Sequence, residues 1–559
     1  MCWSPRYRRN VRSRGCDVGD VVIGLDVGTT AIKAAAFDAR SGVCVASVGH
    51  ALRVRLGRDG GREQSVSALR SVAVGALEEV AAALRRGDRV IGIGVAAQGG
   101  SAAVVDAATG RSRTPMHLWN DLRFMPHLAD VASRKPPAWW RRLSRREGAG
   151  WGLGRISWLT ETQPALFSPN AKYVGVGEVV VHALTGEWVQ DACNALQQGC
   201  FDVTRRRISP EALAVVGMND TAVARLRRGD EQFSLSASVR GVSKGTPIVG
   251  PYMDHEAGWR ACAAGGRGND VLQLSLGTAW VANFALSRRE KYWSPFQLVV
   301  PSPASADDDL VIQPLLTGNV SWDWVWRDLL GAPDAADGAR RIWGRASSPL
   351  PPEGLTALPW LNMPSPLSPA RTGAGMVLGV GPSTTREDIA RAVTVGMAHE
   401  LRRVLAEVTA RGDVARVVVT GGAAKSRGWL KLVAMALGGG VATHVAREES
   451  LVGCRGAVAA LSAPAGSARV APGRIKTDDK TLRRFDDDHA RYLQAFEVLY
   501  GAVPAGGRFS FASPVSAVAS TSTRGQGTIR VPAATPVNAP DDAPRSHRKY
   551  SRTPKRSPE

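Results

Sequence analysis

Short apolar runs separated by turn residues form the first clear pattern in the chain, beginning at Val21. Three runs have the length of β-strands, VVIGL, AIKAAAF and VCVASV, and the turn sequences DVGTT and DARSG lie between them. Apolar residues then recur at helical spacing from Leu69 to Ala83, and the run VIGIGVAA follows Gly87. Three strands, a helix and a strand in this order predict an α/β sheet with helices packed against it.

A second pattern of the same kind begins near Thr246. The segment TPIVGPYMDHEAG is followed by VLQLSLGTAWVANFAL, which again has two apolar runs around a Gly-Thr turn. The similarity of LDVGTTAIKAAAF and LSLGTAWVANFAL is an internal repeat across roughly half the chain. It predicts duplicated lobes that face each other across a cleft. Further along, the patterns predict a strand at ARVVVTGG and helices over residues 156–167, 388–410, 428–437 and 489–500.

The length of the chain and its shifts in composition predict four segments. A chain of 559 residues exceeds the usual size of one core, about 100 to 200 residues per domain. We expect a basic N-terminal extension at 1–20, a first lobe at 21–245, a second lobe at 246–505 and a basic tail at 506–559. The tail is rich in Ser, Thr, Pro and Ala without periodicity, which is typical of disorder.

A formal charge of +21 raises nucleic acid as a partner, since dense Lys and Arg neutralise phosphates. Much of this charge lies in the two termini and around residues 134–146, and such runs are usually solvated. Trp139 and Trp140, next to arginines, could stack on bases. We favour the alternative of a packed surface helix with its arginines outward, and therefore expect no nucleic-acid partner.

Targeting and redox signals are sparse in this sequence. No stretch reaches the roughly 20 consecutive apolar residues that a membrane span requires, and the basic N-terminus lacks the apolar core of a secretory signal. The seven cysteines show neither CxxC spacing nor Cys/His clustering, which argues against a zinc site or a disulfide framework. The sequence therefore predicts a cytoplasmic protein without a membrane partner and with reduced cysteines.

The segment from Asp26 to Thr30, DVGTT, is a candidate phosphate-binding hairpin. Gly28 lets backbone N–H groups approach a phosphate closely, and the hydroxyl groups of Thr29 and Thr30 can donate to its oxygens. Asp26, at the strand end, can hold Mg²⁺ through water. An ordinary hairpin turn favours the same residue types.

Two further glycine-containing turns add to this hairpin. The repeat at Gly277-Thr278 favours phosphate binding by both turns, because two hairpins, one per lobe, can grip a triphosphate from both sides. A third candidate, Gly421-Gly422-Ala423, follows the strand RVVVT and precedes a helix. A pair of glycines there lets a flat group such as adenine pass close to the backbone, although this turn is by itself a common connection.

Seven segments in order resemble the FGGY carbohydrate kinases. They are DVGTT, IGVAAQGGSAAVVDAATGRSRTPMHLWNDLR, LTGEWVQDACNALQQGCFD, GPYMDHEAG, LSLGTA, VVVTGGAAKSRGWL and EESLVGCRGAVAA, and they span about Val21 to Pro504. The resemblance implies an α/β fold of two RNase-H-like lobes of the actin/hexokinase ATPase type, which face a central cleft. It also implies ATP and Mg²⁺ as cofactors, with ATP bound mainly by the second lobe and a sugar or polyol deep in the cleft.

Carried over residue by residue, the family's catalytic base falls on Asp254. A carboxylate there takes the proton of a substrate hydroxyl as its oxygen attacks the γ-phosphate of ATP. Without the resemblance, an Asp between Met253 and His255 would be interpreted as a loop or helix-cap residue.

The substrate contacts implied by the resemblance are less uniform. Gln98 and Gly99 lie in the loop that supplies them in the family, Trp119 and Asp121 match its Trp-x-Asp-x-Arg element, and His255 follows the base. The loop departs from the family's long polar side chains, since it continues as Gly99-Gly100. This departure leaves the acceptor open, with a pentulose such as D-xylulose expected on family frequency.

Two other departures support an alternative function. Thr394-Val395 and Ala434-Met435 each include a position where an acidic residue is usual in the family. The alternative is a catalytically impaired kinase-fold protein that binds a sugar or a nucleotide. The oligomeric state stays open between a monomer and a homodimer.

Overall fold

The computed structural model describes residues 19–500 except for a set of internal gaps. The gaps are 147, 168–169, 264–269, 278, 289–296, 303–306, 316, 345–348, 362–372, 411–415, 439–442, 446–470 and 474–477. The expected tail at 506–559, nearly all of the expected extension at 1–20, and Thr278 lie outside the described residues.

The first part of the chain is built on a six-stranded sheet in the order β14-β15-β6-β1-β2-β3. Its strands and those of the small sheets around it are β1 (Asp20–Val27), β2 (Ala31–Asp38), β3 (Cys44–Ala51), β4 (Arg55–Leu56), β5 (Arg62–Gln64), β6 (Arg89–Ala97), β7 (Ala103–Asp106), β8 (Met116–His117), β9 (Ala171–Val174), β10 (Val189–Gln190), β11 (Phe201–Asp202), β12 (Arg207–Ile208), β13 (Arg225–Leu226), β14 (Gln232–Ser234) and β15 (Pro247–Met253). The helices are α1 (Val66–Ala82), α2 (Met125–Ser133), α3 (Pro137–Ser144), α4 (Trp151–Thr162), α5 (Val176–Thr185), α6 (Ala192–Gln197) and α7 (Pro210–Ala214), with 3₁₀ turns at Pro164–Phe167 and Asp220–Ala222.

The second part is built on a seven-stranded sheet in the order β18-β19-β17-β16-β22-β23-β24. Its strands, with a separate pair β20 and β21, are β16 (Val271–Leu276), β17 (Trp280–Ser287), β18 (Leu298–Pro301), β19 (Asp308–Pro314), β20 (Thr356–Leu358), β21 (Met376–Leu378), β22 (Arg416–Thr420), β23 (Thr443–Val445) and β24 (Ala471–Gly473). The helices are α8 (Asp254–Ala263), α9 (Asn319–Asp323), α10 (Ala335–Trp343), α11 (Arg386–Ala410), α12 (Arg427–Ala436) and α13 (Asp479–Tyr500), with a π-helical turn at Trp324–Leu329 and a 3₁₀ turn at Ala423–Lys425.

The two sheets share one local plan, as the internal repeat predicts. In the first sheet β1 and β2 form an antiparallel hairpin and β6 runs parallel to β1. In the second, β16 and β17 form the hairpin and β22 runs parallel to β16. Each lobe therefore presents a hairpin turn beside the carboxyl end of a parallel strand.

Helix α1 shows how the sequence pattern sets an element. Ser65 caps its start by accepting a hydrogen bond from the Ala68 amide, and its apolar face is buried against β2 and β3. The structure shifts another predicted helix, 156–167, toward the N-terminus. Helix α4 instead begins at Trp151 and ends at Thr162, and a 3₁₀ turn begins at Pro164, whose ring nitrogen has no proton for a helical hydrogen bond.

Candidate active site

The carboxyl ends of three parallel strands of the first sheet meet at one edge. Strands β1, β6 and β15 run parallel, and Ala97 of β6 is the register partner of both Val27 and Met253. Asp26 is near the end of β1, and Asp254 directly follows β15. In open α/β sheets ligands bind in the crevice at this edge, so two carboxylates lie where a ligand is expected.

Asp254 has the electrostatic environment of a general base. It is the first residue of α8, its side chain is half-buried, and Oδ1 accepts a hydrogen bond from the His255 amide at 2.9 Å. Burial and the neighbouring charge of Asp26 raise the pKa of Asp254 to about 7, although the Lys33 ammonium group opposes them. Lys33 is the register partner of Asp26 on β2. A carboxyl group with this pKa accepts and releases a proton near neutral pH.

The first hairpin is tied to the loop at residues 98–101 by a closed set of hydrogen bonds. The hydroxyl group of Thr29 donates to Gln98 Oε1 at 2.8 Å and accepts from Trp119 Nε1 at 3.2 Å. The hydroxyl group of Ser101 donates to Gln98 Oε1 at 3.1 Å and accepts from the Trp119 amide at 3.0 Å. The structure thus brings together three residues that the sequence singled out separately, namely Thr29, Gln98 and Trp119.

Backbone contacts complete the turn of this hairpin. The Gly28 amide donates to the Ala31 carbonyl at 3.0 Å, and Thr30 is exposed at the turn. Gln64, a buried residue of β5, donates from Nε2 to the Thr29 carbonyl at 2.8 Å. Gln64 therefore fixes the backbone of the turn at Thr29, while the neighbouring Thr30 is exposed.

The Gly99-Gly100 loop is fixed by residues from two helices. Gly100 has a φ of +73°, a left-handed conformation that favours glycine. Its amide donates to Asn194 Oδ1 at 3.3 Å, and its carbonyl accepts from Arg155 Nη1 at 2.8 Å. Arg155 is buried and also donates from Nη2 to the Leu118 carbonyl at 3.1 Å. These contacts connect the loop to the segment that carries Trp119.

Asp121 lies in a buried ionic cluster behind Trp119. Arg123 donates to both of its carboxylate oxygens, at 3.0 Å and 2.7 Å, and also to Glu63. Burial raises the pKa of Asp121, but the hydrogen bonds from His117 and Arg123 outweigh it and hold this pKa below its ordinary value. Asp121 thus orders the segment around Trp119, and its effect on a sugar stays a prediction.

The second hairpin and the Gly421 turn are in direct contact. Gly421 has a φ of +85°, and a Cβ atom built on it would lie 2.6 Å from the Leu276 carbonyl and 2.9 Å from the Gly277 nitrogen. Asn319 joins the two: its amide donates to the Gly277 carbonyl at 3.1 Å, and a Cβ on Gly422 would lie 3.3 Å from its Nδ2. Ala423 follows, buried, at the start of a 3₁₀ turn. Gly277, Gly421, Gly422 and Ala423, the described members of the predicted nucleotide site in the second lobe, thus lie close together.

The two departures, Val395 in α11 and Met435 in α12, fall inside the second lobe, where both side chains are buried. Thr394 is fully buried in α11, where its hydroxyl group donates to the Ala390 carbonyl at 2.7 Å. Ala434 and Met435 are buried in α12. Both departures therefore take part in core packing.

The Trp/Arg segment around residues 134–146 packs against the first lobe through Trp140. The expected absence of a nucleic-acid partner stays a prediction. Trp140 is 1% exposed, and its Nε1 donates to the Ala132 carbonyl at 2.9 Å. Trp139 contacts it edge-to-face, with ring centroids 4.7 Å apart. The buried ring of Trp140 is therefore not available to stack on a base, whereas Trp139 is half-buried.

Sequence reasoning missed the residues that hold the predicted ones in place. These are Gln64, Ser101, Arg155, Asn194 and Asn319. Their only signal in the sequence is a polar residue in an otherwise apolar context, for example Gln64 just before α1. That signal does not name the partner across the fold.

Two α/β lobes, each with a hairpin beside a parallel strand, and two carboxylates at neighbouring strand ends of the first sheet are typical of two-lobed sugar-kinase-type ATPases. Two family models match the chain: the N-terminal domain of the FGGY family of carbohydrate kinases over residues 21–259, and the C-terminal domain of that family over residues 313–463. The protein belongs to the FGGY family of carbohydrate kinases. It is a phosphotransferase with an alcohol group as acceptor, and ATP is the phosphoryl donor of this family.

Individual relatives agree with this assignment. A xylulose kinase from Streptomyces coelicolor is 26% identical over 87% of this chain and 97% of its own length, and a glycerol kinase from Gloeobacter violaceus is 24% identical over 76% and 85%. The crystal structure of a xylulose kinase from Rhodospirillum rubrum matches with a TM-score of 0.73 and 21% identity over 86% of this chain and 99% of that chain. Within the described residues, no helix combines the length and the apolar character needed to cross a membrane.

Proposed function

We propose that the protein transfers the γ-phosphoryl group of ATP to a hydroxyl group of a pentulose such as D-xylulose, with Asp254 as the catalytic base. Relatives named xylulose kinase, found by both sequence and structure, support this acceptor. One observation carries the proposal. The half-buried carboxyl group of Asp254 lies beside Asp26, and the pKa of Asp254 is raised to about 7.

The reaction balances with this one base. Asp254 takes the proton of the acceptor hydroxyl as that oxygen forms a bond to the γ-phosphorus, and the bond from phosphorus to the bridging oxygen breaks to release ADP. The proton then leaves Asp254 for solvent. A pKa near neutrality suits both steps.

Asp26 is the residue that would hold Mg²⁺, through water. Its carboxylate fits this role because it stands beside a second carboxylate, and hard oxygen donors are what Mg²⁺ prefers. Bound Mg²⁺ supplies neutralising charge on the phosphate oxygens during transfer. The negative charge of Asp26 also raises the pKa of the neighbouring Asp254.

The two hairpins are the proposed phosphate clamps. In the first, the exposed turn at Thr29 and Thr30 offers backbone amides to the phosphates, since the Gly28 amide is used within the turn. In the second, the proposed counterpart is Gly277, and adenine would pass close to the adjoining backbone of Gly421 and Gly422. Closure of the lobes would exclude water from the phosphoryl group.

The acceptor would lie between Asp254 and the Trp119 loop. Trp119 and His255 are half-buried there, whereas Gln98 directs its side chain into the hydrogen bonds with Thr29 and Ser101. We propose that Gln98 acts by holding the loop and that Gly99 leaves space for the acceptor. The proposed setting is the cytoplasm, where ATP and free sugars occur together.

A coupled ADP-release assay on a panel of pentuloses, hexuloses, glycerol and gluconate tests the proposal. We expect turnover with a pentulose, and Asp254→Asn should lower kcat about 1,000-fold. Asp106→Asn, which changes the carboxylate at the end of β7, is the matched control and should keep activity. Turnover in Asp254→Asn equal to the wild type would contradict the assignment of the base.

The same panel separates the impaired-kinase alternative. Thermal stabilisation by ATP or by a sugar without ADP release would favour a binding protein, because a ligand raises stability whether or not chemistry follows. The observation in favour of this alternative is the Gly99-Gly100 loop, which lacks the family's long polar side chains. Turnover with any member of the panel would exclude it.

A further inference from the structure

The side chain of Gln197 fills the space in front of the Gly99-Gly100 loop. A Cβ atom built on Gly99 would lie 2.6 Å from Gln197 Oε1, and one built on Gly100 would lie 2.7 Å from the same oxygen. Contacts this short are essentially never seen for a Cβ atom, so a side chain at 99 or 100 would displace the end of the Gln197 side chain from this position. Gln197 is the last residue of α6 and reaches the loop from a different element.

The carbonyl oxygen of this amide lacks a donor. Gln197 Oε1 is buried and has no hydrogen-bond partner in the part of the chain that the structure describes. The Nε2 atom lies 3.8 Å from Met253 Sδ, a weak acceptor. A buried amide oxygen without a hydrogen bond destabilises a fold by about 1–3 kcal/mol, so such an atom is usually kept for a ligand or an ordered water molecule.

The position of Gln197 relates this oxygen to the chemistry. Met253, which its amide touches, directly precedes Asp254 in the chain, and Trp119 Cβ would lie 3.3 Å from a Cβ on Gly100. The oxygen is therefore bounded by the residue before the proposed base and by the loop that carries Trp119. A group that donates a hydrogen bond to it would sit within the proposed acceptor site.

We propose that Gln197 is a specificity-determining residue whose Oε1 accepts a hydrogen bond from an acceptor hydroxyl group other than the one phosphorylated. The proposal rests on the proposed function and names the contact that selects the acceptor. Neutral polyhydroxylated acceptors supply O–H donors, whereas a carboxylate at the same place would repel the amide oxygen. The protein should therefore prefer neutral ketoses or polyols to sugar acids.

The test is a double-mutant-type cycle in which the Gln197 side chain and single hydroxyl groups of the substrate are removed separately and together. Gln197→Met keeps the length of the side chain and removes the acceptor atom. For the best acceptor, kcat/KM should fall about ten- to hundredfold, as expected for the loss of one buried hydrogen bond, while KM for ATP stays unchanged. Single-deoxy analogues of that acceptor are assayed with both enzymes. With the wild type, the kcat/KM of one analogue should fall as far as the kcat/KM of the full acceptor falls with Gln197→Met. With Gln197→Met, that analogue should show no further loss.

Gln198→Met is the matched control. Gln198 is the next residue, is buried, and likewise has an amide without a partner among the described residues, but its backbone packs against Gly152 of α4. This variant should leave the ranking of the deoxy analogues as in the wild type. A merely structural role of Gln197 would lower activity for every analogue by one factor, and that result would overturn the proposal.

Failure of the proposed function gives a different result. If the wild type binds an acceptor without turnover, the same cycle is measured on the acceptor Kd, and non-additive losses would still support the role of Gln197. If no panel member binds or reacts with the wild type, the proposed function and this inference are both overturned. If the wild type turns over and all losses add, only the inference is overturned.

Discussion

At the scale of single residues, two carboxylates at neighbouring strand ends set the electrostatics of the cleft. Asp26 and Asp254 repel each other, and burial adds to this effect, so the pKa of Asp254 is raised to about 7. Lys33 offsets part of the repulsion from the paired strand. The same arrangement that suits proton transfer therefore disfavours the charged folded state.

The first prediction concerns the pH dependence of activity. Because the base must be ionised, kcat/KM for the acceptor should rise with pH to a plateau, with an apparent pKa near 7. Initial rates between pH 5.5 and 8.5 under saturating Mg-ATP measure this profile. A flat profile below pH 6.5 would contradict a base of raised pKa.

The second prediction concerns stability. A folded-state pKa above the unfolded value favours the protonated form, so the destabilisation is absent at pH 4, grows as pH rises, and is complete above about 7. Asp254→Asn should therefore unfold about 2 °C higher than the wild type at pH 8. The difference should shrink toward pH 5, as measured by calorimetry. Equal unfolding midpoints for Asp254→Asn and the wild type at both pH values would show that the charge of Asp254 does not destabilise the fold.

At the scale of elements, the nucleotide surface depends on how closely a strand-end turn approaches a hairpin. Gly421 lies against the Leu276-Gly277 backbone, and Asn319 at the start of α9 bonds to the same turn. Strands β16 and β22 are parallel neighbours, so their carboxyl ends bring these turns together. Their spacing leaves no room for a side chain at 421.

Gly421→Ala provides the third prediction. The new Cβ would lie 2.6 Å from the Leu276 carbonyl, so the turn must move and KM for ATP should rise about tenfold or more, with a smaller change in KM for the acceptor. Gly438→Ala is the matched control, because Gly438 has a similar φ of +77° with nothing within 4 Å of its Cβ position. Similar KM values for ATP in both variants would show that the effect comes from backbone strain alone and not from the contact with Leu276.

At the scale of the whole molecule, a buried carboxylate connects the two lobes. Asp309 of β19 accepts from Arg145 at 3.1 Å and from Arg206 at 3.0 Å, and both arginines belong to the first part of the chain. Nearby, Gln297 Nε2 donates to the Arg145 carbonyl at 3.2 Å. Burial raises the pKa of Asp309 although Arg145 and Arg288 oppose it. This cluster fixes the lobes on the side where α6 packs against β18.

The fourth prediction follows from this cluster. Asp309→Asn replaces the two carboxylate oxygens that the half-buried Arg145 and Arg206 share by one carbonyl acceptor, and it should destabilise the fold by about 1 kcal/mol. Asp328→Asn, which breaks an exposed ion pair with Arg327, is the control and should not measurably change stability. Denaturant unfolding of both variants measures the difference. Equal midpoints for Asp309→Asn and the wild type would contradict the role of the cluster.

The sequence by itself determined the elements and their repetition, because these depend on local patterns. Alternating apolar runs and Gly-containing turns predicted both hairpins, and the order of strands and helices predicted the α/β lobes, since each signal lies within a few residues. The motif order also gave the family and marked Asp254 at a strand end. The boundaries 1–20, 21–245, 246–505 and 506–559, and the open choice between monomer and homodimer, stay predictions.

Only the tertiary structure decided what the side chains touch. Thr29 meets Gln98 across 69 residues, Gly100 meets Asn194 across 94, and Gln197 reaches the Gly99-Gly100 loop from another element. A one-dimensional pattern shows that a residue is polar, but the partner and direction of its side chain follow from packing between distant elements. For this reason the predicted site residues were found in the sequence, whereas the residues that hold them and the candidate specificity contact were found only in the fold.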